Sequence, residues 1–199
     1  MVSMHAADRK PRSAMHKLAV MASCASLGVP LGGCGGDPTG EASTQADGPA
    51  IAAGELDGTS MPPWPAPSNV PDRVADAELD LGPMGMAEHY HPELEIIVDG
   101  REVPVAPNIG VDPATGAMSA VHTHTPDGVV HVEATEVGEI FTLGQLFTEW
   151  GVTLSADQIG GARAKAGESV TVTVNGAPYN GPPAELRLEP DQKIVVQVG

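Results

Sequence analysis

Residues 119–135, SAVHTHTPDGVVHVEAT, constrain the fold more than any other stretch of the chain. Two short runs, 121–125 and 129–134, flank Pro126-Asp127-Gly128, and the whole reads as a β-hairpin. Strand side chains alternate faces, so His122 and His124 share one face, and Val129, His131 and Glu133 share another. A two-residue loop at Asp127-Gly128 sets His124 opposite His131, and a four-residue loop over 125–128 sets His122 opposite His131. Both registers gather His122, His124, His131 and Glu133 on one surface and leave Val121, Val130 and Val132 for a core. A three-residue loop would swap the faces. The sequence therefore offers a valine face for packing and a histidine face for something else.

The 199-residue chain carries a formal net charge of −16 with a pI near 4.5, which argues against nucleic acid as a partner. Aromatic residues are 3 % of the chain, against 24 Gly and 19 Pro, so part of it is not expected to pack. Arg9, Lys10, Arg12 and Lys17 precede an apolar run over 18–31 that is too short and too rich in small residues to span a bilayer. The run closes on Leu31-Gly32-Gly33-Cys34, which resembles a bacterial lipobox; Met21-Ala22-Ser23-Cys24 is a weaker match. The expectation is a lipoprotein signal peptide over 1–33 and a diacylated Cys34, two chains being what stable anchoring needs. The chain would then sit lipid-anchored in the cell envelope, outside the cytoplasm.

Residues 34–87 show little periodicity and the Gly/Pro/Ser/Asp composition of a flexible tether, with Trp64 exposed among prolines. A single folded domain is expected over 88–199. Residues 93–99 alternate, with Leu94, Ile96 and Val98 on one face, and Asp99-Gly100 signals a type I′ turn into 101–105. Thr142-Leu143-Gly144-Gln145 fits a capping box. Leu143, Leu146, Phe147 and Trp150 then follow helical spacing until Gly151 closes the helix. Val170, Val172 and Val174 alternate before Asn175-Gly176, and runs over 184–188 and 193–198 complete a sheet. This order predicts an α+β domain, a mostly antiparallel sheet with one short helix, similar in outline to a β-grasp architecture.

Four segments, HYHPELEIIVDGREVPVAPNIGV, HTHTPDGVVHVEAT, FTLGQLFTEWGV and VTVTVNG, resemble a family of uncharacterised bacterial secreted proteins and lipoproteins. The resemblance covers nearly all of 89–199. It implies a shared fold and a histidine-rich signature, with no activity to carry over. Where family members show HTHD, this chain has Thr125 after His124.

His89-Tyr90-His91 is a second His-x-His motif, placed just before the first strand. Imidazole is the commonest protein ligand for Zn and Cu, and three imidazoles leave a coordination position open. The expected ligand set is His122, His124 and His131, completed or extended by His89 and His91, with Glu133 orienting a histidine. The metal is Cu or Zn; Met84 and Met86 would favour Cu(I) as ligands but fit a linker or packing role better. A competing reading keeps the histidines as a hydrogen-bonded network in an interaction module. A small zinc hydrolase ranks third, since no nucleophile motif, phosphate loop or substrate pocket is visible. No catalytic residue is expected.

Overall fold

Two hairpins in the domain are set by two-residue turns that only particular residues can make. Asp99 and Gly100 both take positive φ, 49° and 73°, and Asn175 and Gly176 do the same at 51° and 78°. Two successive positive φ values define the type I′ turn, whose twist matches that of the strands it joins. The computed structural model describes residues 58–199, which lie within one compact unit, Asp47–Gly199. The expected signal peptide, Cys34 and the first part of the tether lie outside the described residues.

The elements run α1 (Val70–Asp76), β1 (Glu88–Tyr90), β2 (Glu93–Val98), β3 (Arg101–Val103), β4 (Val121–His122), β5 (His131–Ala134), α2 (Leu143–Trp150), β6 (Gln158–Ile159), β7 (Ala162–Arg163), β8 (Thr171–Val174), β9 (Ala177–Tyr179), a 3-10 turn (Pro183–Glu185) and β10 (Lys193–Val198). A five-stranded sheet has the order β3-β2-β10-β8-β9, and a three-stranded sheet has the order β1-β5-β4. All strand pairs are antiparallel except β2 with β10. The fold is α+β with few helices, as the sequence predicts. The β-grasp likeness is a proposal that rests on the parallel β2–β10 pair at the centre of the larger sheet.

The parallel register sets Leu94, Ile96 and Val98 beside Ile194, Val196 and Val198. All six are buried and join the apolar face of α2, Leu143, Leu146, Phe147 and Trp150, in one core. Helix α2 begins as expected: Thr142 Oγ1 accepts from the Gln145 N–H, and the Gln145 side chain accepts from the Thr142 N–H. Gly151 ends it in the left-handed conformation at φ 76°.

Four expectations are corrected. Residues 58–87 are not a tether: Trp64 is 3 % exposed and meets Trp150 edge-on at 5.7 Å between ring centroids. The Trp150 indole N–H donates to the Pro65 carbonyl, and Gln145 donates to Ala77. A second helix, α1, adds Val70 and Val74 to the buried set. The folded region thus begins well before residue 88, because prolines and glycines can pack irregularly wherever a large aromatic supplies apolar area. His89 does not precede the first strand but lies within β1, paired with β5. The strand returning from Asn175-Gly176 is β9, not 184–188, whose Leu186 and Leu188 are buried without joining the larger sheet. Residues 160–167 include the return strand β7, which pairs with β6 across Gly160-Gly161.

Because Trp64 fills the core from the supposed tether, Trp64→Ala should lower unfolding free energy by about 3–5 kcal/mol. Urea denaturation measures it; a loss below about 1 kcal/mol would show that the segment is peripheral.

Candidate metal centre

The histidine face exists because β5 is the middle strand of the small sheet. Strand β1 pairs on one side, His89 opposite Glu133 and Tyr90 opposite Val132. Strand β4 pairs on the other, Val121 opposite Val132 and His122 opposite His131. This is the histidine pairing expected of the four-residue loop, with ladder pairing in β4 ending at His122. The even parity holds: Val121, Val130 and Val132 are all buried in the core. Backbone contacts to β2 pin the hairpin, the Leu94 N–H donating to Gly128 and the Val130 N–H to Pro92. Gly128 sits at φ 80° against the Leu94 carbonyl, where any Cβ would collide with it. Beyond β4 the chain turns tightly. Thr123 points inward, donating to the Ala106 carbonyl and accepting from the Ile109 N–H.

Among the described residues, two groups of three histidines could hold a metal ion: His122, His124 and His131, and His89, His91 and His131. Within each group the ligand nitrogens lie within 4.8 Å of one another. All five expected ligands are therefore brought together, as two triads that share His131 rather than as one primary set with two extenders.

His122 is fully buried, and its Nδ1 lies 2.9 Å from the Ser119 carbonyl oxygen. A carbonyl can only accept, so Nδ1 carries the proton and the neutral ring keeps its lone pair on Nε2. That Nε2 lies 3.2 Å from Nε2 of His124. Two nitrogens bound to one tetrahedral ion at 2.0–2.1 Å would be about 3.3 Å apart. Ring centroids in the same arrangement fall about 5 Å apart, from the same bond length. The first triad has 4.7, 4.7 and 5.3 Å; the second has 4.5, 4.6 and 6.2 Å. Burial holds His122 well below the usual imidazole range, at about 4, against the Ser119 contact, which works the other way. His131 is also lowered, first by burial and then by the neighbouring rings of His124, His91 and His89. Both rings are thus kept in the neutral form that binds metal.

Glu133 lies beside His89. Its Oε1 is 3.4 Å from His89 Nε2, while its buried Oε2 has no partner. A carboxylate beside one ring nitrogen orients the other toward a metal.

Glu149 escaped the sequence reading. It lies on α2 three residues after Leu146, on the flank of the apolar stripe, and only 1 % of it is exposed. Ser119 donates its hydroxyl to Glu149 Oε1, and Oε2 has no partner. The same Ser119 presents its carbonyl to His122, so Glu149 holds the residue that orients the buried His122 ring. Its place at the edge of a helix stripe was the available signal.

No family model, curated protein or solved structure matches this chain. The site is therefore read from its own chemistry.

Burial pushes the Glu149 carboxyl up to about 8, so the folded protein carries it neutral. A group raised on folding stabilises fully below its unfolded value and loses that contribution as pH rises through its folded value. The contribution of Glu149 to stability should therefore fall from about pH 5 to pH 8, with a slope of at most about 1.4 kcal/mol per pH unit. His122 acts in the opposite sense, its contribution being lost as pH falls from about 6.5 toward 4. Denaturant unfolding at pH 4 and pH 9 should show Glu149→Gln close to the wild type at the first and more stable at the second. Parallel losses in both proteins would mean that Glu149 is already ionised in the fold.

Proposed function

We propose that the protein is a lipid-anchored, extracytoplasmic member of the secreted-protein family its motifs resemble, and that its folded unit binds a transition metal, Cu or Zn. His122, His124 and His131 form the tighter triad, with His89 and His91 on the other side of His131. The observation that carries the reading is the pair of Nε2 atoms 3.2 Å apart, one of them on a buried ring whose tautomer Ser119 fixes. That spacing and tautomer suit an ion before any ion arrives, and two further histidines stand beside them. With three imidazoles supplied, water or a small anion would fill the remaining position.

The membrane half of the reading rests on the basic residues, the apolar run and Cys34. No helix among the described residues is long and apolar enough to cross a membrane; the anchor of this reading is the lipid at Cys34.

The same 3.2 Å contact also suits a plain hydrogen bond between two histidines. A structural network serving an interaction module is therefore the second reading, and one experiment separates them. Protein extracted from membranes without chelating resin should carry a diacyl mass increment on Cys34. It should bind Cu(II) or Zn(II) in calorimetry with micromolar or tighter affinity, and His122→Ala/His124→Ala should abolish that binding. An unmodified Cys34 removes the anchor, and equally weak binding in both proteins leaves the histidines structural.

A further inference from the structure

His131 belongs to both triads, and strand order makes this unavoidable. The middle strand of a three-stranded sheet meets one neighbour on each side. His131 therefore faces His122 across β4, while its ring packs against His91, just beyond β1, at 4.5 Å. A neutral imidazole offers one lone pair, its other nitrogen keeping a proton. His131 can complete one triad at a time unless it also gives up that proton and bridges two cations one ring-width apart as an imidazolate.

The two triads also differ in a consistent direction. In one, His89 and His91 are both exposed, and Glu133 stands beside His89 with an unpartnered buried oxygen. Negative charge next to exposed rings favours encounter with a cation. In the other, His122 is buried and fixed by Ser119, and the ring spacing lies nearer to that of a bound tetrahedral ion. A desolvated, preset site holds its ion longer than an exposed one.

We infer that the five histidines form a two-station path for a single transition-metal ion. The ion is captured at His89, His91 and His131, and is retained at His122, His124 and His131. His131 is the ligand common to both stations and changes partners as the ion moves inward.

The inference rests on the metal-binding reading, and the test separates the two. Zn(II) is the probe, with the full chain, His91→Ala and His124→Ala; both substituted rings are exposed, and circular dichroism checks the fold. Native mass spectrometry under excess Zn(II) should find one ion per chain. His124→Ala should weaken equilibrium binding, measured against a fluorescent zinc indicator, by roughly 10–100-fold. His91→Ala should change it by less than about threefold while stopped-flow loading slows by about tenfold, as removal of an entry ligand rather than a holding one requires. Two ions per chain, equal losses of affinity in the two variants, or unchanged loading in His91→Ala would overturn the path. A wild type that takes up no Zn(II) at all sinks the metal reading itself, before any variant is compared.

Discussion

The alternation of β5 is the constraint on which the rest depends. Val130, Val132 and Ala134 turn into the core, so His131 and Glu133 must turn the other way. A slip of one residue would bury the histidine and expose the valines, and the core contacts forbid it. The close approach of Gly128 to the Leu94 carbonyl fixes the hairpin on the larger sheet. Hydrophobic packing on one face thereby sets the position of a polar cluster on the other. The histidines are aligned by valines.

Holding such a cluster costs stability. His122 and Glu149 are polar groups taken almost wholly out of water, and Glu149 leaves one oxygen without a partner. Burial of that kind is tolerated when the group is neutral and hydrogen-bonded. Both meet that condition in part, His122 through the Ser119 carbonyl and Glu149 through the Ser119 hydroxyl. One serine thus connects helix α2 to the buried His122. Cores tend to retain unsatisfied polar atoms where a site needs them, and their concentration around Ser119 and Glu133 agrees with a site on this face.

Much of the fold was legible because its signals are local. Asp-Gly and Asn-Gly turns, the Thr142/Gln145 capping box and the alternation of 93–98 and 193–198 each need only a few neighbouring residues. The histidine face was legible for the same reason, since period two survives any even loop. What escaped was non-local. Trp64 lies in a stretch with no period, and only contact with Trp150 and Gly160 reveals it as core. Helix α1 has seven residues, too few for its Val70 and Val74 pair to stand out from the surrounding prolines. The division of the histidines into two triads required knowing that β1 adds to the hairpin, which no spacing within 119–135 could disclose. Leu186 and Leu188 alternate like a strand, yet follow a 3-10 turn and pack at the end of α2 instead.

The central claim is that imidazoles of this hairpin surround a metal ion. X-ray absorption at the metal edge of protein loaded with one equivalent of Zn(II) tests it most directly. Three imidazole nitrogens at about 2.0–2.1 Å, with the multiple scattering of ordered rings and one further light atom, is the expected spectrum. A shell of oxygen alone, or one with sulfur scattering, would place the ion elsewhere and contradict the account.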